Sequence, residues 1–484
     1  MGKNLERVNH TFGPFYDSES RVLFLGSFPS VKSREALFYY GHPQNRFWKI
    51  MRAIYEDDFG DSIEEKSEFL HRHHIALYDV IDECDIVGSS DSSIRNVVPT
   101  DLDSILKKTK IERIFVNGKT AEKYYKKYQE KATGRTAICL PSSSPANAAW
   151  SLEKLTSTWK YLVSPHFEYY VQESDRAKRF YADKNINDAY MAAGAVPIIR
   201  YKHLDETGIV NACFTTRIGG ISSGDLSTLN LGFTRGDSQE NIKENFKRAL
   251  TTFAVNAEKA GILDRTVMTQ QVHSDNIIKA TKGLALGDDC TVKVESVDGL
   301  YTDAKNLILS ATFADCVPVY LVDPKKKRIA LVHSGWKGTA AEIAAKGVAI
   351  LENDRAFDEI DEKSALSKNA EHEKYCDIPD AENIIAEIGP SISGDHYEVT
   401  GEVIDAIAKN YSAEEHQDIF EKTDKTHYHL DMWAAIYYSL IHAGVLPEHI
   451  YFSGVCTYEN ASLLYSHRRS GGRRGNMNAF LELL

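Results

Sequence analysis

Along the first 165 residues, short apolar runs alternate with amphipathic stretches. RVLFLGSFPS (21–30), IALYDV (75–80), RIFVNG (113–118) and AICLPSSSPANAAW (137–150) each read as a buried strand running into a turn or loop. Helical spacing appears at 45–55. Strands alternating with helices predict a parallel sheet in an α/β fold. Ligands of such sheets sit beyond the carboxyl ends of the strands, where the loops GSFPS, VNG and LPSSSPAN fall. The pattern restarts after residue 195 with strand-like VPIIRYKHL and ACFTTRIGG. NLILSATFADCVPVYLVDPKKKRIALVHSGW reads as two buried strands around the polar turn DPKKKR, and TAAEIAAKGVAILEND and LDMWAAIYYSLIHAGV read as helices. Residues 166–195 are charged and tyrosine-rich without a clean period and read as a connector. Residues 354–380, charged and poor in apolar positions, read as a surface insertion. The expected organisation is therefore one domain at 1–165, a connector at 166–195 and a second domain at 196–484.

Composition supports this division. A chain of 484 residues is too long for one ordinary core. No apolar run approaches the roughly 20 residues needed to cross a bilayer, so no membrane partner is expected. MGKNLERVNH has no apolar stretch behind its charges and does not read as a secretory signal; Glu6 breaks the myristoylation pattern. Seven cysteines without a CxxC pair argue for a reducing, cytoplasmic setting over a disulfide framework. Charge is unevenly placed: residues 1–165 are near neutral, and most of the net −12 falls on the remainder. An anionic partner such as DNA is tolerated by the first half and repelled by the second.

The candidate chemistry of the second half centres on His273 in QQVHS, Cys316 in TFADCVPV and His333 in LVHSGWKG. A thiolate and two imidazoles suit zinc, and three protein ligands leave a fourth position for water or substrate. Taken singly, each residue has a plainer reading: a structural or exposed histidine, or a buried cysteine behaving as a small hydrophobe.

In the first half, YYGHPQNRFWKIM (39–51) stands between GSFPS upstream and LPSSSPAN downstream. These three ordered motifs resemble the uracil-DNA glycosylase superfamily over residues 8–165. The nearest likenesses are the mismatch-specific uracil-DNA glycosylases and the hypoxanthine (deoxyinosine) DNA glycosylases. The resemblance implies a three-layer α/β/α domain that binds DNA and flips a base onto an aromatic platform. It assigns Tyr40 to stacking, Asn117 to reading the base, and Ser142, Ser143 and Ser144 to phosphate contact or wedging. Mismatch-specific relatives carry a catalytic Asn where this chain has Phe28. In the deoxyinosine branch the Asn of the HPxN segment takes that role, here Asn45, which would orient water and stabilise developing charge. That departure points to hypoxanthine. The plainer readings are that Phe47 and Trp48 face a core and that Asn45 caps a helix.

The second half resembles the laccase-domain family, also described as purine nucleoside phosphorylases and as peptidoglycan editing factors. The likeness rests on FTTRIGGISSG, STLNLG, QQVHSDN, VDGLYTD, ADCVPVYLVDP, HSGWKG, IGPSISGDHYEV and SHRRSGG. It implies a mixed α/β laccase-domain fold. It also implies phosphorolysis of adenosine, inosine, guanosine and methylthioadenosine, with adenosine deamination beside it, at a Zn2+ site formed by His273, Cys316 and His333. Arg217, Arg468 and Arg469 are the phosphate candidates. Asn230 and Gln271 are candidates to orient ribose or water, and Asp315 to fix a histidine tautomer. Multicopper sites need clustered histidines, whereas HYH at 427–429 stands apart from these motifs, so zinc is expected rather than copper. The competing readings are a peptidoglycan editing hydrolase or copper polyphenol oxidase in the second half, and an inactive DNA-binding module in the first.

Overall fold

The computed structural model describes residues 5–135, 137–148, 150–163, 167–192, 196–254, 261–353, 355 and 378–484. The chain divides into two compact units, the smaller ending before residue 166 and the larger comprising most of the chain beyond it.

In the smaller unit, four parallel strands pair in the order Ile75–Asp79, Val22–Gly26, Arg113–Asn117, Ile138–Leu140. Period-two alternation sends Phe24 and Phe115 to one face and Leu23, Leu25, Ile114 and Val116 to the other. The first face is covered by the helices Phe47–Tyr55 and Leu152–Val163, which bury Phe47, Trp48 and Trp159. The second is covered by the helix Lys119–Tyr124 and by residues of a small antiparallel sheet. This is the expected three-layer arrangement. The antiparallel sheet, Glu6–Asn9, Ile81–Ile86 and Arg95–Pro99, was not legible because its outer strand is largely exposed and lacks an apolar period.

The larger unit holds two mixed seven-stranded sheets. The first includes Thr266–Gln270, Ile308–Phe313, Met477–Leu483 and Val210–Thr215 as consecutive neighbours. The second includes Ile277–Lys279, Gly299–Thr302, Arg328–Ser334, Val317–Asp323 and Ile385–Ile388. The helix Gln239–Phe253 packs against the first, and Ile343–Glu352 and Met432–His442 against the second.

Three expectations change. The long apolar stretch 306–336 forms three strands, not two, because Asp315 at φ +85 breaks the run after Phe313. The chain changes sheets at this break. Residues 167–192, read as a connector, belong to the larger unit. The helix Asp175–Tyr181 buries Phe180 and Tyr181, and its Arg176 lies 2.6 Å from the fully buried Asp431. Asn185–Ile186 and Ala189–Ala192 add an edge strand to each sheet. Charged residues that pair inside the fold left no apolar period to detect. The helical stretch 339–354 is divided by Glu342, at φ +55, into Trp336–Ala340 and Ile343–Glu352. The segment read as a surface insertion lies mostly outside the described residues.

Two candidate active sites

The larger unit's candidate centre forms where the chain passes from one sheet to the other. One crossing is the loop between Thr266–Gln270 and Ile277–Lys279, which carries His273. A second is the break between Ile308–Phe313 and Val317–Asp323, which carries Cys316. His333 lies near the end of Arg328–Ser334, paired with Pro318 across the ladder. The ligand atoms of the three residues all lie within 4.8 Å of one another, and Cys316 Sγ is 3.7 Å from His273 Nε2.

Asp298, fully buried, holds this arrangement together. Its Oδ1 accepts the His273 backbone N–H at 3.0 Å and faces His333 Nδ1 at 2.9 Å. Its Oδ2 accepts the N–H groups of Val272 and Ser274 and the Ser274 hydroxyl at 2.8 Å. The carboxylate thus steadies His273 in its left-handed conformation, φ +61, and commits one ring nitrogen of His333 so that Nε2 is left as the donor. Burial raises the Asp298 pKa, but His333 and Ser274 outweigh it and hold the group below the ordinary carboxylate range.

The donor set fits a metal. Burial pushes the Cys316 thiol up, yet His333 and His273 overcome it and bring it down to about 6, favouring the thiolate that binds metal. Burial lowers His333, while the Cys316 thiolate and Asp298 raise it to about 9. Gly335 keeps the space between donors open: a Cβ there would lie 2.7 Å from His273 Cδ2 and 3.2 Å from Cys316 Sγ. Asp298→Asn is expected to weaken metal affinity about 10–100-fold, read by competition with a chromophoric chelator. Unchanged affinity would remove Asp298 from the site.

A cavity of about 360 Å³ opens on the three donors. Gln271 lines it, but both ends of its amide are committed to Thr312, at 2.7–3.1 Å. Asn230 is fully buried outside the lining, where its Oδ1 accepts the N–H groups of Gly232 and Asn476. It therefore lies behind the cavity wall, holding Gly232 and Asn476, which line it. The three arginines expected to hold phosphate do not line the cavity either. Arg217 donates to the carbonyls of Ser227 and Ala461 and lies over Tyr465, Arg468 donates to the Glu398 carbonyl, and Arg469 to the Tyr458 carbonyl. Asp315 does not hold a histidine; it accepts the Thr457 hydroxyl and the Arg468 backbone N–H.

Two other arginines line the cavity instead. Arg235 and Arg474 both line the cavity and both donate to Asn476 Oδ1, Arg235 at 3.0 Å. Neither makes an ion pair among the described residues. Burial and the nearby Arg235 charge pull Arg474 down to about 10. Two guanidinium groups without an ion-pair partner, lining one cavity, have the chemistry that suits an oxyanion. Their segments, GFTRGD and RRGN, carry a signal only once the fold brings them together, whereas SHRRSGG draws attention to a pair that does not line the cavity.

The smaller unit has its own cavity, of about 500 Å³, at the carboxyl ends of its parallel strands. Tyr40, Asn45, Asn117, Ser142, Ser143 and Ser144 all line it, with Phe28. Ser143 is fully buried and links two amides: its hydroxyl donates to Asn45 Oδ1 at 2.9 Å and accepts from Asn117 Nδ2 at 2.8 Å. Its N–H donates to Asn117 Oδ1. Ser143 therefore positions side chains and is not free to wedge into DNA. Asn45 Oδ1 also accepts the Phe47 N–H at 2.9 Å, a turn contact ahead of the helix, whose N-cap is Arg46 and not Asn45. Tyr40, at φ +53, stacks on Phe47 with centroids 3.8 Å apart and lines the cavity. Arg46, not singled out from sequence, pins the 142–150 loop by donating to the carbonyls of Ser143, Ser144, Asn147 and Trp150.

Comparison with known proteins agrees with both halves. The family model described as multi-copper polyphenol oxidoreductase laccase matches residues 211–483, and that of the uracil DNA glycosylase superfamily matches residues 14–164. The purine nucleoside phosphorylase YlmD of Geobacillus stearothermophilus is 35% identical over 273 residues, covering 56% of this chain and 89% of the relative. The purine nucleoside phosphorylase YfiH of Escherichia coli is 27% identical over 275 residues, covering 57% and 94%. The crystal structure of Bacillus licheniformis YfiH superposes with a TM-score of 0.52 at 30% identity, over 62% of this chain and 100% of that one. With a matching model across more than half its length, the chain belongs to the multi-copper polyphenol oxidoreductase laccase family, and it carries a uracil-DNA-glycosylase-superfamily domain ahead of that region.

Proposed function

We propose that the larger unit is a zinc-dependent purine nucleoside phosphorylase acting on adenosine, inosine, guanosine and methylthioadenosine, with adenosine deamination beside it. The observation that carries this reading is the cavity on which His273, Cys316 and His333 converge with the two unpaired cations Arg235 and Arg474. The relatives' names point the same way. His273, Cys316 and His333 would hold the metal, which when bound supplies Lewis acidity and activates water. Arg235 and Arg474 grip phosphate and neutralise its charge as it approaches C1′ of the sugar. Phe233 and Met268 offer an apolar wall to the purine. Asp298 keeps the His333 ring from turning. Among the described residues these three donors are the one such group, which favours a single metal over a copper cluster.

Purified protein given inosine and phosphate should release hypoxanthine and ribose-1-phosphate, and a chelator should stop the reaction. Product release independent of phosphate would overturn the reading. Elemental analysis of the same sample distinguishes zinc from copper.

For the smaller unit the proposed reaction is excision of hypoxanthine from deoxyinosine in DNA, with Tyr40 stacking on the flipped base and Asn45 stabilising the transition state. A duplex bearing one deoxyinosine should acquire an alkali-labile abasic site, and Asn45→Ala should slow its formation roughly a hundredfold. An Asn45→Ala rate equal to that of the parent would exclude the assigned role.

A further inference from the structure

Asn45 is an amide and cannot take a proton from water, and its Oδ1 already accepts two hydrogen bonds. Two carboxylates line the same cavity. Asp91 begins the short, exposed 3-10 helix Asp91–Ser93 and accepts the Ser27 hydroxyl at 3.0 Å. Asp79 is different. It ends the strand Ile75–Asp79, pairs in register with Gly26 and is 5% exposed. Its Oδ2 faces His10 Nε2 at 2.9 Å, and the His10 side chain is 1% exposed. That imidazole stands in an aromatic box, with ring centroids of Phe12 at 4.6 Å, Tyr78 at 5.2 Å, Phe28 at 6.2 Å and Tyr39 at 6.4 Å. The other oxygen, Oδ1, takes no hydrogen bond from the described residues and turns over Gly26. A Cβ at Gly26 would lie 2.1 Å from it and 3.8 Å from the Tyr40 hydroxyl, so the absence of a side chain there is what admits the carboxylate. The Thr100 hydroxyl fixes the backbone beneath by donating to the Asp79 carbonyl at 2.9 Å.

We propose that Asp79, oriented by His10, is the general base of the smaller unit; the assignment rests on the glycosylase reading above. Asp79 Oδ1 takes a proton from water as the water oxygen bonds to C1′ of the flipped deoxyinosine. The C1′–N9 bond breaks, its electron pair leaves with hypoxanthine, and the base takes a proton from solvent. Asp79 then returns its proton to solvent. His10 is a positioning residue: its Nε2–H fixes Oδ2 and aims Oδ1 into the cavity.

The test uses the full chain and a duplex with one deoxyinosine under single-turnover conditions. Asp79→Asn should slow excision at least about a hundredfold. Its affinity for a duplex bearing a stable abasic analogue should stay within about threefold, which reports an intact DNA-binding surface. Asp79→Ala should be equally slow and should recover part of the rate in added formate, which supplies the missing carboxylate. His10→Phe, which suits the aromatic box but cannot donate, should lose roughly tenfold, and His10→Gln, which can donate, should recover most of that loss. If the parent excises hypoxanthine and Asp79→Asn matches it, the base assignment is wrong while the glycosylase reading stands. If Asp79→Asn loses DNA affinity, the formate experiment decides, and no rescue there overturns the assignment. A parent that leaves deoxyinosine DNA intact sinks both.

Discussion

Cys316→Ala is expected to lower inosine phosphorolysis roughly a thousandfold and to leave the purified protein nearly free of metal. The thiolate is the one anionic ligand of the three donors, and without it two neutral imidazoles compete poorly for a divalent ion. The fold should persist. Cys316 follows a turn between two sheets whose strands are held by their own ladders, and removing one sulfur leaves those pairings untouched. Phosphorolysis and elemental analysis of parent and variant, with circular dichroism as the control for folding, make the comparison. Full activity in a metal-free Cys316→Ala protein would end the metal mechanism. Phosphate dependence retained in that variant would, by contrast, leave the anion receptor standing.

Arg474→Ala should cost about a hundredfold in kcat/KM for phosphate, equivalent to about 2.7 kcal/mol, with most of the change in KM. It should not lower thermal stability, because it removes one of two like charges that share a partly buried wall. Activity falling with stability unchanged is the mark of a group retained for function. Arg468→Ala and Arg469→Ala provide the contrast. Their side chains donate to backbone carbonyls outside the cavity, so the phosphate KM should be unaffected. Initial rates over a phosphate titration at fixed inosine measure all three. A phosphate KM raised by Arg468→Ala but not by Arg474→Ala would return the role to the pair that the SHRRSGG motif suggests.

The sequence was most legible where a side chain's chemistry and its chain context are both unusual. His273, Cys316 and His333 stood out, as did Tyr40, Asn45 and Asn117, and each set converges on one cavity. The parallel strands of the smaller unit were legible because full burial makes them continuous apolar runs. Less visible were residues whose role depends on distant partners. Asp298 lies inside the VDGLYTD segment, yet nothing in that segment shows that it bonds both a loop 25 residues earlier and a strand 35 residues later. Arg235 and Arg474 become a pair only through Asn476. Arg217, Arg468 and Arg469 had equally suggestive contexts but serve as backbone clasps. The residues read as a connector hid their burial behind charge, since an Arg176–Asp431 pair is sequestered without an apolar period to betray it.

The position of Met477–Leu483 bears on how the larger unit is assembled as it is synthesised. This strand fills the middle of its sheet, hydrogen-bonded to Val210–Thr215 on one side and Ile308–Phe313 on the other. Until it has cleared the ribosome, those two strands present bare edges to the cell, and a gap stands where the sheet will close. Arg474 and Asn476 immediately precede it, so that wall of the metal-site cavity is completed only after some 270 residues of the larger unit have been made, counting from Val210. The glycosylase-like unit, whose strands among the described residues all lie before residue 141, is under no such delay. Nascent chains of this protein should therefore carry one finished fold and one waiting on its keystone.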